Sequence, residues 1–105
     1  MYDIESIQAM YQKRAVEATK HFHDRVKERS IKYADVKNAI LDGEIIEQYL
    51  DDTPNPSLLI LGHCRNSRQL HVAVGVDDDK LWLITAYFPT LDIWEAGYKT
   101  RKVID

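Results

Sequence analysis

The chain has 105 residues, 45% of them hydrophobic, which suits one domain (residues 1–105) with a single buried core. It has no apolar run near the roughly 18 residues needed to cross a bilayer, so we expect no membrane-spanning helix. The formal net charge of -3 argues against a domain that coats nucleic acid through overall positive charge. The N-terminus lacks a secretory pattern and Cys64 is the single cysteine, so we expect a cytoplasmic protein without disulfides.

The first predicted element is an amphipathic helix over residues 4–29. This segment contains no Gly or Pro, and its apolar residues recur at steps of three and four. The pattern leaves open a break into two helices near Arg14. A second, shorter helix is predicted over residues 31–42, with Gly43 positioned to end it.

Four strands are predicted next, because residues 44–50, 58–64, 70–76 and 81–88 are rich in β-branched, aliphatic and aromatic residues. Their short polar or proline-containing links favour an antiparallel meander. Residues 91–97 are predicted to form a short C-terminal helix. The predicted fold class is therefore α+β, with two N-terminal helices on one face of a four-stranded antiparallel sheet and the other face partly open.

His71 is the best single candidate for chemistry, because it lies in an otherwise apolar strand. Side-chain alternation puts Leu70 and Val72 on one face and His71 on the other, open face. A neutral imidazole can act there as base or acid near neutral pH. Tyr87, in the following strand, adds a phenol that can donate to a phosphate oxygen. The alternative is that both residues are structural. His71 is then a core histidine with its hydrogen bonds made, and Tyr87 is a half-buried tyrosine at the end of a strand.

His21, Arg25 and Arg29 are spaced by four residues and form a row along the predicted first helix. Such a row can hold a phosphate, because arginine supplies a bidentate fork and histidine a proton. The alternative is that the arginines pair with carboxylates such as Glu47 or Asp42 and close the seam between helix and sheet. The drift of the row toward the apolar stripe favours this alternative.

A second basic cluster contains Lys99, Arg101 and Lys102. It is either a cradle for a phosphate backbone or a solvated tail. His63 and Cys64 are adjacent, but the chain has no established zinc-ligand spacing and no glycine-rich phosphate loop. We therefore expect neither a metal nor a cofactor.

Several ordered motifs span roughly residues 21–102. They are His21-x-x-x-Arg25-x-x-x-Arg29-x-Ile31, Asp35-Val36, Gly43-Glu44-x-x-Glu47-x-Tyr49, Leu70-His71-Val72, Thr85-Ala86-Tyr87-x-Pro89, Trp94 and Lys99-Thr100-Arg101-Lys102. Together they resemble a family of small bacterial proteins, the domain of unknown function 4258 (DUF4258). Ser30 stands where this family usually has Gly. The segment before His21 is longer than the family pattern requires, and it offers a surface for a partner or for a homodimer.

The resemblance implies a fold and a biological role. Members look like the toxin half of bacterial toxin–antitoxin pairs and are similar in build to the RelE-like and MqsR-like endoribonucleases. They are often encoded beside a zinc-finger antitoxin. What the resemblance implies is thus a RelE-like domain with RNA as substrate and an antitoxin protein as partner.

The resulting hypothesis is a metal-independent endoribonuclease, in which the RNA 2′-hydroxyl attacks the adjacent phosphorus. His71 is the expected general base or acid. Tyr87 is the expected proton donor or phosphate contact, and Arg25 and Arg101 are expected to stabilise the developing charge.

Four further residues are expected to bind the substrate: His21, Arg29, Lys99 and Trp94. The indole of Trp94 is expected to stack on a base. The alternative hypothesis is a non-catalytic module or regulator that docks on another protein through the first helix. The acidic pI of about 5.8 favours this alternative.

Overall fold

Five strands form one mixed sheet in a computed structural model, which describes residues 1–103. The strands are β1 (Val16–Ala18), β2 (Glu44–Tyr49), β3 (Ser57–His63), β4 (Gln69–Asp77) and β5 (Lys80–Tyr87). They lie in the order β1-β5-β4-β3-β2, and β2 to β5 form an antiparallel meander. The helices are α1 (Ile4–Gln12), α2 (Lys20–Glu28) and α3 (Tyr33–Leu41). No helix within residues 1–103 is both long and apolar enough to cross a membrane.

The predicted four-stranded antiparallel sheet with two N-terminal helices is wrong, although the α+β class fits. The sheet has a fifth strand, β1, which pairs in parallel with β5 and places Val16 opposite Leu81. This strand is only three residues long, and its partner lies more than sixty residues away in sequence. Local periodicity carries no signal for such a pairing. The other four strands lie within one residue of their predicted ends.

The single predicted helix over residues 4–29 is replaced by α1, β1 and α2, with the break near Arg14 that the pattern left open. Arg14 has a φ of 61°, in the left-handed region, and the Ala15 amide donates to the Met10 carbonyl. This is the geometry that ends a helix. Thr19 caps the N-terminus of α2, because its hydroxyl accepts a hydrogen bond from the Phe22 amide at 3.0 Å.

The predicted helix over residues 91–97 is also wrong. Residues 89–102, called here the C-terminal segment, form turns that cross the sheet face opposite the helices. The Glu95 amide donates to the Thr100 carbonyl, and the Lys102 amide donates to the Ile93 carbonyl, both at 2.8 Å. These paired amides and carbonyls replace the bonds that a helix would have made.

The hydrophobic core lies between the helices and one face of the sheet. Leu70, Val72 and Val74 of β4 belong to the same buried hydrophobic cluster as Phe22 and Val26 of α2. The opposite sheet face carries the odd-numbered residues of β4, and His71 is one of them. The helices and the C-terminal segment thus cover opposite faces, and His71 lies under the C-terminal segment.

Helix α3 approaches the sheet closely because two glycines leave room for it. A Cβ added at Gly62 would lie 2.2 Å from the Ala39 carbonyl oxygen and 2.5 Å from the Ala39 Cα. A Cβ added at Gly43 would lie 2.2 Å from the same oxygen. The backbone of α3 therefore lies against the backbone of the sheet, a contact that only glycine allows.

We expect Gly62→Ala to lower the free energy of unfolding by about 2–3 kcal/mol, because the helix must move away from the sheet. Gly75→Ala is the matched control, since its Cβ would meet no atom closer than Ile84 Cδ1 at 3.4 Å. Urea unfolding followed by circular dichroism measures both variants. Equal stability of the two would refute the close packing of α3.

Candidate functional site

His71 is fully buried and makes two hydrogen bonds. Its Nε2 lies 2.9 Å from the Tyr98 carbonyl oxygen, and its Nδ1 lies 3.1 Å from the Tyr87 hydroxyl oxygen. A carbonyl can only accept, so Nε2 carries the proton and Nδ1 accepts the hydroxyl proton of Tyr87. The pairing follows from the sheet register, which puts His71 opposite Tyr87.

The C-terminal segment covers the imidazole. The Trp94 ring stands at 86° to it with centroids 4.5 Å apart, and the Tyr87 ring stands at 72° with centroids 5.2 Å apart. The expectation of an open face is therefore wrong at His71. Strand alternation correctly predicts the face on which His71 lies, but it gives no information on what covers that face. His71 itself has no solvent-exposed surface, whereas its hydrogen-bond partner Tyr87 is partly exposed.

Burial sets the protonation of this pair. Loss of hydration lowers the pKa of His71, although the Tyr98 carbonyl and the charge of Glu47 act in the opposite direction. Burial likewise raises the pKa of Tyr87. Both side chains are therefore neutral near pH 7, and His71 keeps an unprotonated Nδ1 that can take up a proton.

Arg101 and Glu47 form a bidentate ion pair beside the histidine. Arg101 Nε donates to Glu47 Oε2 at 2.9 Å, and Nη2 donates to Oε1 at 3.1 Å. The guanidinium carbon also lies 4.6 Å from the centroid of the Trp94 ring. The Arg101 side chain is 52% exposed, against 20% for Glu47. A fixed and accessible cation thus sits over the indole that covers His71.

Tyr49 completes this group, because its hydroxyl donates to Glu47 Oε1. Burial alone would raise the pKa of Glu47, but the hydrogen bonds from Arg101 and Tyr49 outweigh it and lower the pKa. Hydrogen bonding to Glu47 in turn raises the pKa of Arg101. We call the five residues of this group the sheet-face cluster: Glu47, Tyr49, His71, Tyr87 and Arg101.

Arg25 and His21 lie outside the sheet-face cluster. Arg25 Nη1 pairs with Glu28 at 3.0 Å on the same helix, α2, and His21 is exposed on that helix. Helix α2 packs on the other face of the sheet, so the expected catalytic role of Arg25 has no geometric support.

Arg29 reaches the edge of β5 from the end of α2. Its Nη1 donates to the Ala86 carbonyl at 2.8 Å and to the Thr85 hydroxyl at 3.2 Å. The positive charge of Arg29 acts to lower the pKa of Tyr87. It therefore lies nearer to the sheet-face cluster than the other members of the predicted basic row.

Two other expected substrate contacts have different surroundings. Lys99 pairs with Glu44 at 2.8 Å, and its side chain stays 60% exposed. Trp94 is only 2% exposed, so its indole covers His71 and offers no free face for a base. The role predicted for Trp94 as a stacking platform does not fit this geometry.

The sequence interpretation missed Glu47 and Tyr49 as members of the site. It gave Glu47 as an ion-pair partner for helix arginines, and it named both residues in a family motif without a role in the site. Glu47 and Tyr49 are two residues apart on β2, so alternation puts them on the same face as each other. The signal that could have found them is the pattern on β2, where an acidic and a phenolic residue share one face. The same sheet carries His71 on β4 and Tyr87 on β5.

A cavity of about 750 Å³ continues along the same sheet face. Its floor includes Ala73, Gly75, Trp82 and Ile84, and Asp52 lies on its wall. Ala73 is two residues beyond His71 on β4, so the cavity begins about 7 Å from the histidine along the strand. The sheet-face cluster and this cavity therefore lie on the same face of the sheet. Within residues 1–103 no group of three or more His, Cys, Asp or Glu could hold a metal ion.

A family model described as Domain of unknown function (DUF4258) matches residues 18–88. The chain belongs to this family. The DUF4258 match includes Glu47, His71 and Tyr87, and it ends before Trp94 and Arg101 in the C-terminal segment. Comparisons with curated proteins and with solved structures found no match.

We expect the imidazole of His71 to titrate below pH 6.5, its ordinary value, because burial disfavours the charged form. His63 is the internal control. The carbonyl of Cys64 is the main cause that raises the pKa of His63, and Asp42 raises it further, so His63 should titrate above 6.5. Two-dimensional ¹H–¹³C NMR of the imidazole signals measures both midpoints in one sample. A His71 midpoint at or above that of His63 would contradict this environment.

The lowered pKa of His71 also makes the free energy of unfolding depend on pH. The unfolded chain binds a proton at His71 near pH 6.5, whereas the folded chain binds it only at lower pH. The contribution of His71 to the free energy of unfolding is therefore complete above about pH 6.5 and is lost as pH falls through the folded pKa.

Proposed function

We propose that this protein is a metal-independent endoribonuclease that cleaves RNA at the sheet-face cluster. The observation that carries the proposal is the hydrogen bond from the Tyr87 hydroxyl to the neutral Nδ1 of His71, beside the exposed guanidinium of Arg101. Attack by a 2′-hydroxyl requires a base, a proton relay and a fixed cation, and these three groups supply them. His71 acts through Tyr87 and does not touch the substrate.

The proton path follows from the hydrogen bonds. The 2′-hydroxyl gives its proton to the Tyr87 oxygen while the Tyr87 proton moves to His71 Nδ1. The new bond joins O2′ to phosphorus, and the bond from phosphorus to O5′ breaks. O5′ leaves with a proton from water, so the products are a 2′,3′-cyclic phosphate and a 5′-hydroxyl. The imidazolium then loses its proton to solvent through Tyr87.

Arg101 is the group best suited to the charge on the phosphorane. Its pair with Glu47 uses two of the five guanidinium N–H groups, which leaves three for the non-bridging oxygens. Glu47 and the Trp94 ring hold the guanidinium in place before substrate arrives. A cation fixed in advance needs no reorganisation during the reaction.

The adjoining cavity suits a base next to the cleaved phosphate. Trp82 and Ile84 supply apolar surface for a base, and the Asp52 carboxylate can accept a hydrogen bond from an amino group on a base edge. This surface lies on the same sheet face as Tyr87, so one strand of RNA can occupy both.

The biological role that we propose is the toxin of a toxin–antitoxin pair acting in the cytoplasm. Its support is membership of DUF4258 together with the resemblance of such proteins to RelE-like and MqsR-like toxins. The proposed partner is an antitoxin protein, for which the zinc-finger type is the first candidate.

A non-catalytic binding module is the second candidate function. The complete burial of His71 favours it, because the imidazole also serves to attach the C-terminal segment to the sheet. The two candidates differ in the expected effect of removing the Tyr87 hydroxyl.

We expect purified protein to cleave a labelled RNA oligonucleotide in the presence of a chelator. Tyr87→Phe should lower the single-turnover rate by about 100-fold or more, because the proton path is lost. Arg101→Ala should lower it comparably. Arg25→Ala, which removes an arginine from an exposed ion pair on α2, should leave the rate within about twofold. Cleavage by Tyr87→Phe at the unaltered rate would remove the relay from the mechanism.

Expression in bacteria without a partner gene tests the toxin role. We expect growth arrest with the natural sequence and normal growth with Tyr87→Phe, provided that both proteins accumulate equally on immunoblots. Normal growth at high levels of the natural protein would favour the binding module.

A further inference from the structure

A second cavity, of about 690 Å³, opens on the helical side of the protein, away from the sheet-face cluster. It lies between the end of α1, strand β1, helix α2 and helix α3, and we call it the interhelical cavity. Its polar, aromatic and apolar lining includes Tyr11, Arg14, Val16, His23, Tyr33 and Lys37. Its volume falls within the range of pockets that hold small molecules.

The charge of the interhelical cavity is opposite to that of the whole chain. The chain has 17 acidic and 14 basic residues, yet Arg14, His23 and Lys37 line this cavity and none of its lining residues is acidic. Among the ion pairs of the described residues, none involves Arg14 or Lys37. The positively charged side chains of Arg14 and Lys37 therefore line the same cavity without an acidic partner. This arrangement favours the binding of an anion there.

A hydrogen bond orients the histidine of this cavity. His23 Nδ1 lies 2.6 Å from the Tyr33 hydroxyl oxygen, and the two ring centroids are 5.7 Å apart. When Tyr33 donates to Nδ1, the proton of the imidazole is on Nε2. His23 can then offer an N–H to an anion beside the two cations.

The remaining surface of the cavity is apolar and aromatic. Val16 and Ala18 of β1 and Leu83 of β5 form one side of it, and the Tyr11 and Tyr33 rings line it as well. Glu17, between the two β1 residues, pairs with Lys80 at 3.6 Å, and it is not among the lining residues. The cavity thus joins a cationic part to an apolar part.

We propose that the interhelical cavity binds a small organic anion that carries a flat ring, of the class of nucleoside monophosphates. Arg14, Lys37 and the His23 N–H contact the phosphate, and the apolar side with its tyrosine rings contacts the base. The site is independent of the proposed RNA cleavage, because it lies on the opposite face of the sheet.

Arg14 offers a variant that removes the charge without harming the fold. Its φ of 61° is a conformation that glycine adopts at no steric cost and that helix ends commonly fill with glycine. Arg14→Gly should therefore be at least as stable as the natural protein, and a loss of binding in it cannot be attributed to unfolding.

The test is titration of the full chain with adenosine monophosphate, inorganic phosphate and adenosine, followed by calorimetry and by NMR of backbone amides. We expect saturable binding of the monophosphate, tighter than that of phosphate or adenosine alone, with shifts at Val16 and Lys37. Arg14→Gly and Lys37→Gln should each raise its Kd about tenfold. Lys20→Gln, which removes a charge from α2 outside the cavity, should leave the Kd unchanged.

Four results would overturn the inference. They are absence of saturable binding, equal affinity for the monophosphate and either fragment, shifts confined to His71 and Tyr87, and full affinity in Arg14→Gly. None of these results bears on RNA cleavage, so the two proposals stand or fall separately.

Discussion

The hydrogen bond between His71 and the Tyr98 carbonyl joins the central strand of the sheet to the C-terminal segment, and the candidate site depends on it. Trp94 packs on the imidazole, and Arg101 stacks on Trp94 while it binds Glu47. An unpaired buried imidazole nitrogen costs about 1–3 kcal/mol, so the segment and the histidine stabilise each other. Arg101 is therefore held at Glu47 only while the segment lies on the sheet, and fold and site are formed together.

Sequence patterns predicted the four meander strands well, because each is a local apolar run separated by turn residues. They failed where distant contacts decide the structure. Residues 16–18 continue a helical apolar pattern, yet they extend because they pair with Leu81–Leu83 and because Arg14 ends α1. Trp94 was assigned to a helix because nothing local indicates that residues 89–102 gain their order by lying across another strand.

For the site, alternation and short hairpins were sufficient to bring His71 and Tyr87 to one face of neighbouring strands. They could not predict that the face is covered, so Trp94 was given the role of a base platform when it encloses the imidazole. The row from His21 to Arg29 was misleading in a different way. Helical spacing correctly puts these residues on one helix, but only Arg29, at the end of α2, can reach around the sheet toward Tyr87.

The contact of Arg29 with Ala86 occupies a free hydrogen-bond acceptor on β5. β1 covers only residues 81–83 of β5, so the outward carbonyl of Ala86 lies on a stretch of strand that β1 does not cover. Exposed strand edges of this kind recruit strands from other molecules and begin aggregation. The guanidinium occupies the acceptor that an incoming strand would need, and a charged side chain at that place repels apolar segments. We therefore expect Arg29 to hinder strand addition by other molecules at this edge, independently of any chemistry on the neighbouring sheet face.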